Sequence, residues 1–383
     1  MKILHTSDWH VGKQLRGMSR LAEHEAVLAE IVDIARAEAV DAVLVTGDVF
    51  ESAAPLPDAQ AVVWQALLAL RSTGARVVVI GGNHDNQRAF DAWAPVFAAA
   101  GITVLGSAAR PGDGGVIEWT TGAGEPVVCA LVPFVSQRFA VRTEQLLELD
   151  GAGAVGRYAE RMRVFIDALS SAFRPDAVNL LAAHCFVPGG RLGGGERDAQ
   201  VANEYGVDAV HFPAAANYIA LGHLHRAQHV DAAAAAWYAG SPVQLDFGET
   251  DDLKQVLLIE TAPGVPARVQ ARALSNGWSL RTVHGTFEEL RALDTGDAWL
   301  RVVVREPARA GLADDVRAML PRAVDVRIER PEPSEATPQL ASRRGRSAHD
   351  LFADYLALEG VEDERVLRLF DRFHDDVLAE ATP

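Results

Sequence analysis

Apolar residues along this chain arrive in short blocks separated by polar turns. The blocks Lys2–Thr6, Ala42–Thr46, Arg76–Ile80, Val127–Leu131, Val178–Ala183, Tyr218–Leu221 and Gln255–Glu260 are brief and mostly aliphatic, a pattern that predicts strands. Longer stretches carry a different period. Leu21–Ala39 sets Leu28, Ile31 and Ala35 on one stripe, and Asp58–Arg71 does the same with Val63, Leu67 and Leu70 after the turn signal of Pro55 and Pro57. Both are predicted helices. Strands alternating with helices predict an α/β core over residues 1–275.

A smaller pattern occupies 276–330: a strand, a helix at Glu288–Leu293, a strand at Trp299–Val304, a helix at Asp314–Leu320 and a strand at Val324–Ile328. That is enough for a small α+β unit. Residues 331–346 fall within PEPSEATPQLASRRGRS, whose proline, serine and charge read as a linker. Two helices then close the chain over 347–383. Ser347 suits the first N-cap, with Leu351, Phe352, Tyr355 and Leu356 on one side. The second opens on Glu362, Asp363 and Glu364 and puts Val366, Phe370, Phe373 and Val377 on one stripe. These helices either fold back on the main body or dock on a helix of another protein. The linker favours docking.

Composition narrows the field without deciding it. At 383 residues, 49% apolar and 23% charged, the chain has ordinary globular proportions. It lacks a run of about twenty apolar residues, so no membrane span is expected. Its start lacks the long apolar core of a signal peptide. Cys129 and Cys185 sit inside apolar runs with no metal-binding spacing, and a reducing cytoplasm fits them. A net charge of −16 argues against stand-alone high-affinity DNA binding, which needs a basic face.

Candidate chemistry lies where the strands end. HTSDWHVG places Asp8 and His10 two residues apart; TGDVF offers Asp48; GGNHD offers Asn83, His84 and Asp85; AAHCF offers His184; GHLH offers His223 and His225. In each, an apolar run gives way to polar groups as the chain turns out, the edge at which α/β sheets gather their sites. Taken singly, a histidine is more often a structural residue, and His5, His24, His211, His229, His284, His349 and His374 are left in that class. The ordered set is a strong signal. Carboxylate, amide oxygen and imidazole without thiolate suit Mn²⁺, Fe²⁺ or Zn²⁺. Asp8, His10, Asp48, Asn83, His184, His223 and His225 are too many ligands for one transition ion and about right for two that share one carboxylate. Two cations roughly 3.5–4 Å apart form the clamp used for in-line displacement at phosphorus and acidify a water between them. His84, beside Asn83, is placed to protonate the leaving oxygen or stabilise charge on it.

This set resembles that of the calcineurin-like metallophosphoesterase superfamily. More narrowly, KILHTSDWHVGK, TGDVFESAAPLPDA, IGGNHD, and YIALGHLHRAQ followed by YAGSPVQLDF resemble the nuclease-subunit family of bacterial SbcCD DNA-repair complexes, over essentially the whole chain. The resemblance implies an αββα two-sheet sandwich, a small α+β capping domain, a C-terminal helical pair and a binuclear, usually manganese, site. By motif, Asp8, His10 and His225 would hold one Mn²⁺, Asn83, His184 and His223 the other, with Asp48 bridging and His84 catalytic. Implied activities are an ATP-dependent 3′ to 5′ double-strand exonuclease and an ATP-independent single-strand endonuclease that also opens hairpins and blocked ends, in repair, replication and recombination. Implied partners are the SbcC ATPase, DNA and a second copy of the chain.

The chain departs from the wider pattern at Glu51, where archaeal and eukaryotic relatives carry histidine, so leaving-group assistance falls on His84. The glycine-rich stretch 187–198, with Arg191 and Arg197, reads equally as a substrate loop and as a mobile surface loop. Lys13, Arg16 and Arg20 read slightly in favour of phosphate contact. Two rivals stay open. One is a small-molecule phosphodiesterase, which would need no aromatic-faced terminal helices. The other is a non-enzymatic DNA-end scaffold, for which seven intact ligand positions would be superfluous.

Overall fold

The computed structural model describes residues 1–136, 158–193, 196, 206–329, 348–358 and 364–380. In chain order its strands are β1 (Lys2–Thr6), a hairpin of β2 (Gln14–Leu15) and β3 (Met18–Ser19), β4 (Ala42–Thr46), β5 (Arg76–Ile80), β6 (Ile102–Leu105), β7 (Val116–Thr120), β8 (Pro126–Val132), β9 (Val178–His184), β10 (Tyr218–Gly222), β11 (Gln228–Val230), β12 (Ala235–Tyr238), β13 (Gln255–Ala262), β14 (Val265–Ala273), β15 (Leu280–Gly285), β16 (Trp299–Val304) and β17 (Ala323–Ile328). The helices are α1 (Leu21–Ala37), α2 (Pro57–Ser72), α3 (Gln87–Ala99), α4 (Tyr158–Ser170), α5 (Phe287–Arg291), α6 (Leu312–Met319), α7 (Ala348–Leu358) and α8 (Glu364–Glu380).

Two six-stranded sheets form the centre, in the orders β14-β13-β1-β4-β5-β6 and β11-β12-β10-β9-β8-β7. In the first, β1, β4, β5 and β6 run parallel, and β13 pairs antiparallel to β1 with Lys2 opposite Glu260. In the second, β12, β10, β9 and β8 run parallel between antiparallel edges. Side chains alternate across a strand, and here both sides are buried, which explains the near-continuous apolar runs. Ile3, Leu44, Val78 and Ile80 meet Cys129, Leu131, Leu180 and Tyr218 between the sheets. Leu4, Val43, Val45, Val77 and Val79 pack outward on α1, α2 and α3, through Val27, Ile31, Leu67 and Phe90. Leu181 and Leu221 pack outward on Met162, Phe165 and Ile166 of α4. The result is an αββα sandwich. Each such side chain contributes about 1.5–3 kcal/mol on burial, and a slip of one residue would turn every strand inside out. Register is therefore held firmly, and so are the points at which the strands end.

Residues from β15 to β17 form a three-stranded parallel sheet. Its core is made by Val283, Leu300 and Val302 with Leu290, Leu312 and Val316 from α5 and α6. Leu15 of the hairpin joins Phe247, Leu280 and Trp299 in a cluster that ties this sheet to the sandwich. Met1–Glu329 form one compact unit and Arg330–Pro383 a second. In the second, Phe352 of α7 stacks on Phe370 of α8, with ring centroids 4.1 Å apart and planes at 17°. Tyr355 and Phe373 stay more than half exposed, at 53% and 58%. The 331–346 segment, Ser347 and the Val377 side chain lie outside the described residues. Among those described, no helix is long and apolar enough to cross a membrane.

Candidate metal centre

The carboxyl ends of β1, β4, β5, β9 and β10 bring Asp8, His10, Asp48, Asn83, His84, His184, His223 and His225 to one edge of the sandwich. The two-residue spacing of Asp8 and His10 does not work by strand alternation. Both are left-handed, with φ of 52° and 47°, as are Asp48 at 48° and His223 at 114°. Such backbone costs roughly 1–2 kcal/mol per residue, and backbone bonds hold it: Asp8 N–H to the Gly47 carbonyl at 3.0 Å and His10 N–H to the Asp48 carbonyl at 2.9 Å. Trp9, fully buried between them, donates its indole N–H to Thr6 Oγ1 at 2.9 Å.

Donor atoms gather in three overlapping groups, each within 4.8 Å: Asp8 with His10 and His225, His10 with Asp48 and His84, and Asp48 with His184 and His223. Asp48 is the shared member of the last two. Its Oδ2 lies 3.6 Å from His10 Nε2 and 3.6 Å from His184 Nε2. Asn83 Oδ1 lies 2.8 Å from both His184 Nε2 and His223 Nδ1.

These groups fit cations by a simple count of protons. His184 Nδ1 meets the Thr46 carbonyl at 2.7 Å, which only accepts, so Nδ1 carries the proton and Nε2 the lone pair. That lone pair faces the Asn83 oxygen. Two acceptors at such range are an arrangement a cation satisfies. His10 Nε2 is buried with no hydrogen-bond partner among the described residues, again a lone pair turned into the cluster. Electrostatics agree at His10 and His184. Burial, then the charge of Asp48, pushes Asp8 well above the usual carboxylate range. Burial would raise Asp48 too, but His184, His10 and His84 around it hold it low. Burial keeps His10 at about 4 and lowers His184, so both imidazoles stay neutral, the form that binds metal. Burial lowers His225 as well, yet its bond to Glu249 and the charges of Asp8 and Glu249 leave it raised.

Several residues around the centre have no role that the sequence alone reveals. Glu51 Oε2 accepts from His10 Nδ1 at 2.8 Å, and its backbone carbonyl accepts from His84 Nδ1 at 2.8 Å. Asp85, the last residue of the GNHD run, is buried and accepts backbone N–H bonds from Val49, Phe50 and Gly82 at 3.2, 2.9 and 2.9 Å, lacing the β4 and β5 exits together. Glu249 meets His225 Nδ1 at 3.2 Å. No motif flags it, because it lies beyond the ligand segments. One member of the basic trio needs correction. Arg20 is fully buried against Glu23, with Nη2–Oε1 at 2.7 Å, and is closed to phosphate. Lys13 is paired with Glu51 at 2.8 Å, and Arg16 lies 3.6 Å from Asp325 Oδ2. His5, buried between Tyr218 Oη (2.8 Å) and Thr46 Oγ1 (2.9 Å), is structural. In the 187–198 stretch Arg191 is exposed and Glu196 accepts from the His225 N–H at 3.1 Å; Arg197 lies outside the described residues.

Buried carboxylates, imidazoles and one amide, met on the edge of a two-sheet sandwich, define a metal-dependent phosphoester hydrolase. Residues 1–227 match the calcineurin-like phosphoesterase family model. The chain is 35% identical to the SbcD component of the SbcCD nuclease of Bacillus subtilis (strain 168), over 80% of this chain and 79% of the relative. It is 34% identical to that of Rhodobacter capsulatus over 70% and 68%, and 28% identical to that of Escherichia coli (strain K12) over 96% of each. The chain belongs to the SbcD family of calcineurin-like phosphoesterases.

Proposed function

We propose that this chain is the nuclease subunit of a two-component DNA-processing complex, cleaving DNA phosphodiesters with two divalent cations, Mn²⁺ foremost. In this reading Asp8, His10 and His225 hold one ion, Asn83, His184 and His223 the other, and Asp48 bridges. When bound, the ions neutralise the non-bridging phosphate oxygens and activate the attacking water. The chain's own part is to fix the donors and handle the leaving-group proton. His84 is tethered twice, by its N–H to Asp48 Oδ1 at 2.8 Å and by Nδ1–H to the Glu51 carbonyl. With Nδ1 bonded to the Glu51 carbonyl, Nε2 is the nitrogen assigned to pass a proton. Glu51 Oε2 lies 3.9 Å from the same Nδ1. An acid so placed contributes about 10²–10⁴-fold.

With the SbcC ATPase as partner the complex acts as a 3′ to 5′ exonuclease on double strands, cuts single strands without ATP, and opens hairpins and blocked ends during repair, replication and recombination in the cytoplasm. The 347–383 helices, with Tyr355 and Phe373 exposed, engage SbcC. A second copy packs on the apolar Leu68 and Val96 exposed on α2 and α3. The observation that carries the reading is the convergence of all seven donors and His84 on one edge. Its test is cleavage of single-stranded, hairpin and linear DNA with and without Mn²⁺, ATP and SbcC. Loss of cleavage on chelation, its return with Mn²⁺, and its near-abolition in His84→Ala are expected; full activity in the chelated protein would overturn the metal assignment.

A further inference from the structure

Two carboxylates outside the donor set hold two imidazoles of the same cluster. Glu51 Oε2 takes Nδ1–H of His10 at 2.8 Å, while its Oε1 takes Lys13 Nζ at 2.8 Å. Glu249 repeats the pattern: Oε1 meets His225 Nδ1 at 3.2 Å and Oε2 takes Lys254 Nζ at 2.7 Å. The second relay is the better anchored. Glu249 is fully buried and also accepts the Leu245 N–H at 3.0 Å, and Lys254 reaches the backbone carbonyl of His225 at 3.2 Å and Ser241 Oγ at 2.9 Å. One lysine–glutamate pair therefore grips both the ring and the backbone of one histidine. His184 across the centre is held differently, by the neutral Thr46 carbonyl.

A carboxylate behind an imidazole fixes its tautomer and makes the inward nitrogen a better donor, and loss of such a partner typically costs 10–100-fold in metal affinity. From this difference we infer that Glu249 with Lys254, and Glu51 with Lys13, are positioning pairs that make the Asp8/His10/His225 position the tighter of the two, so that it fills first and the His184 position carries the exchangeable ion. The inference rests on the two-cation reading above and adds an order to it.

The test is Mn²⁺ titration of the full-length chain, with free Mn²⁺ read from its EPR signal. Two affinity classes are expected in the unaltered protein. Glu249→Gln keeps the side-chain shape and removes the charge; it should weaken the tighter class about 10–100-fold and leave the weaker class in place. Glu51→Gln, at a partly exposed carboxylate, gives the same readout should Glu249→Gln not fold. His184→Ala should remove the weaker class and spare the tighter. Two equal classes, or a shift of both classes together in Glu249→Gln, would overturn the order alone. An unaltered protein that bound no Mn²⁺ would overturn the two-cation reading and the order with it.

Discussion

Gly47, between Thr46 and Asp48, gives the sharpest test of how tightly the centre is built. Its φ is +92°, and a methyl group there would stand 2.8 Å from His184 Cγ and 3.0 Å from the Gly82 Cα. Carbon atoms settle at about 3.5–4.0 Å, so Gly47→Ala asks the His184 ring to move by roughly 1 Å. The ring has nowhere to go: it is fully buried, tied to Thr46 on one nitrogen and facing Asn83 on the other. A displacement of that size in a catalytic group costs on the order of 10²-fold in rate. The left-handed backbone adds roughly 1–2 kcal/mol against any residue with a Cβ. Gly74 separates the two effects. Its φ is +97° with nothing within 4 Å of the added carbon, so Gly74→Ala carries the backbone cost alone. Single-turnover DNA cleavage with saturating Mn²⁺, beside thermal melts, reads both. We expect a few degrees of lost Tm in each variant and a fall of about 10²-fold in rate for Gly47→Ala only. A Gly47→Ala protein cleaving at the unaltered rate would refute the rigid placement of His184.

Three further outcomes follow from residues away from the donors. His5 is buried with its pKa held down to about 3, against roughly 6.5 when unfolded. Between those values the unfolded chain binds the extra proton, so stability falls as pH drops from 6.5; at pH 5 the loss is about 2 kcal/mol. His5→Gln should flatten that part of the curve, and urea titrations at pH 7 and pH 5 that drop equally for both proteins would contradict it. Arg20→Ala leaves Glu23 charged and buried, which costs about 3–5 kcal/mol; DNA affinity per folded molecule should not change, and a selective loss of affinity would return Arg20 to the phosphate contacts. Deleting 340–383 should abolish co-purification with SbcC yet spare Mn²⁺-dependent cleavage by the remainder, and a truncated chain that still captured SbcC would move the docking site elsewhere.

The sequence was most legible where strands are buried on both faces. The bounds of β1, β4 and β5 follow their predicted runs residue for residue, because a strand covered on both sides buries nearly every side chain. Edge strands of the two large sheets were not legible: β14, with only Ala267 and Val269 packed against the core, has too few apolar positions to signal a strand. The helix α3 was hidden by Pro95 in its interior and α4 by the polar residues around it, although Tyr158, Met162, Phe165, Ile166 and Leu169 keep helical spacing. At the centre, ligand types and strand-end positions carried the donors. Their carboxylate supports had no such signature. Glu51 and Glu249 are acids among many, and only folding shows that one lies behind His10 and the other behind His225. Arg20 failed for the same reason, since a cation near D-x-H looks the same whether it faces solvent or Glu23.

The ordering of the donors along the chain has a consequence for synthesis. Asp8 leaves the ribosome ahead of its partners: its cluster lacks His225 until that residue emerges, and Glu249 and the β13 partner of β1 come later still. At about 5–20 residues per second, the first ligand waits roughly 10–45 s for the last. A nascent or truncated chain ending before GHLH cannot gather the full donor set, so the centre is withheld from every copy that stops short of His225.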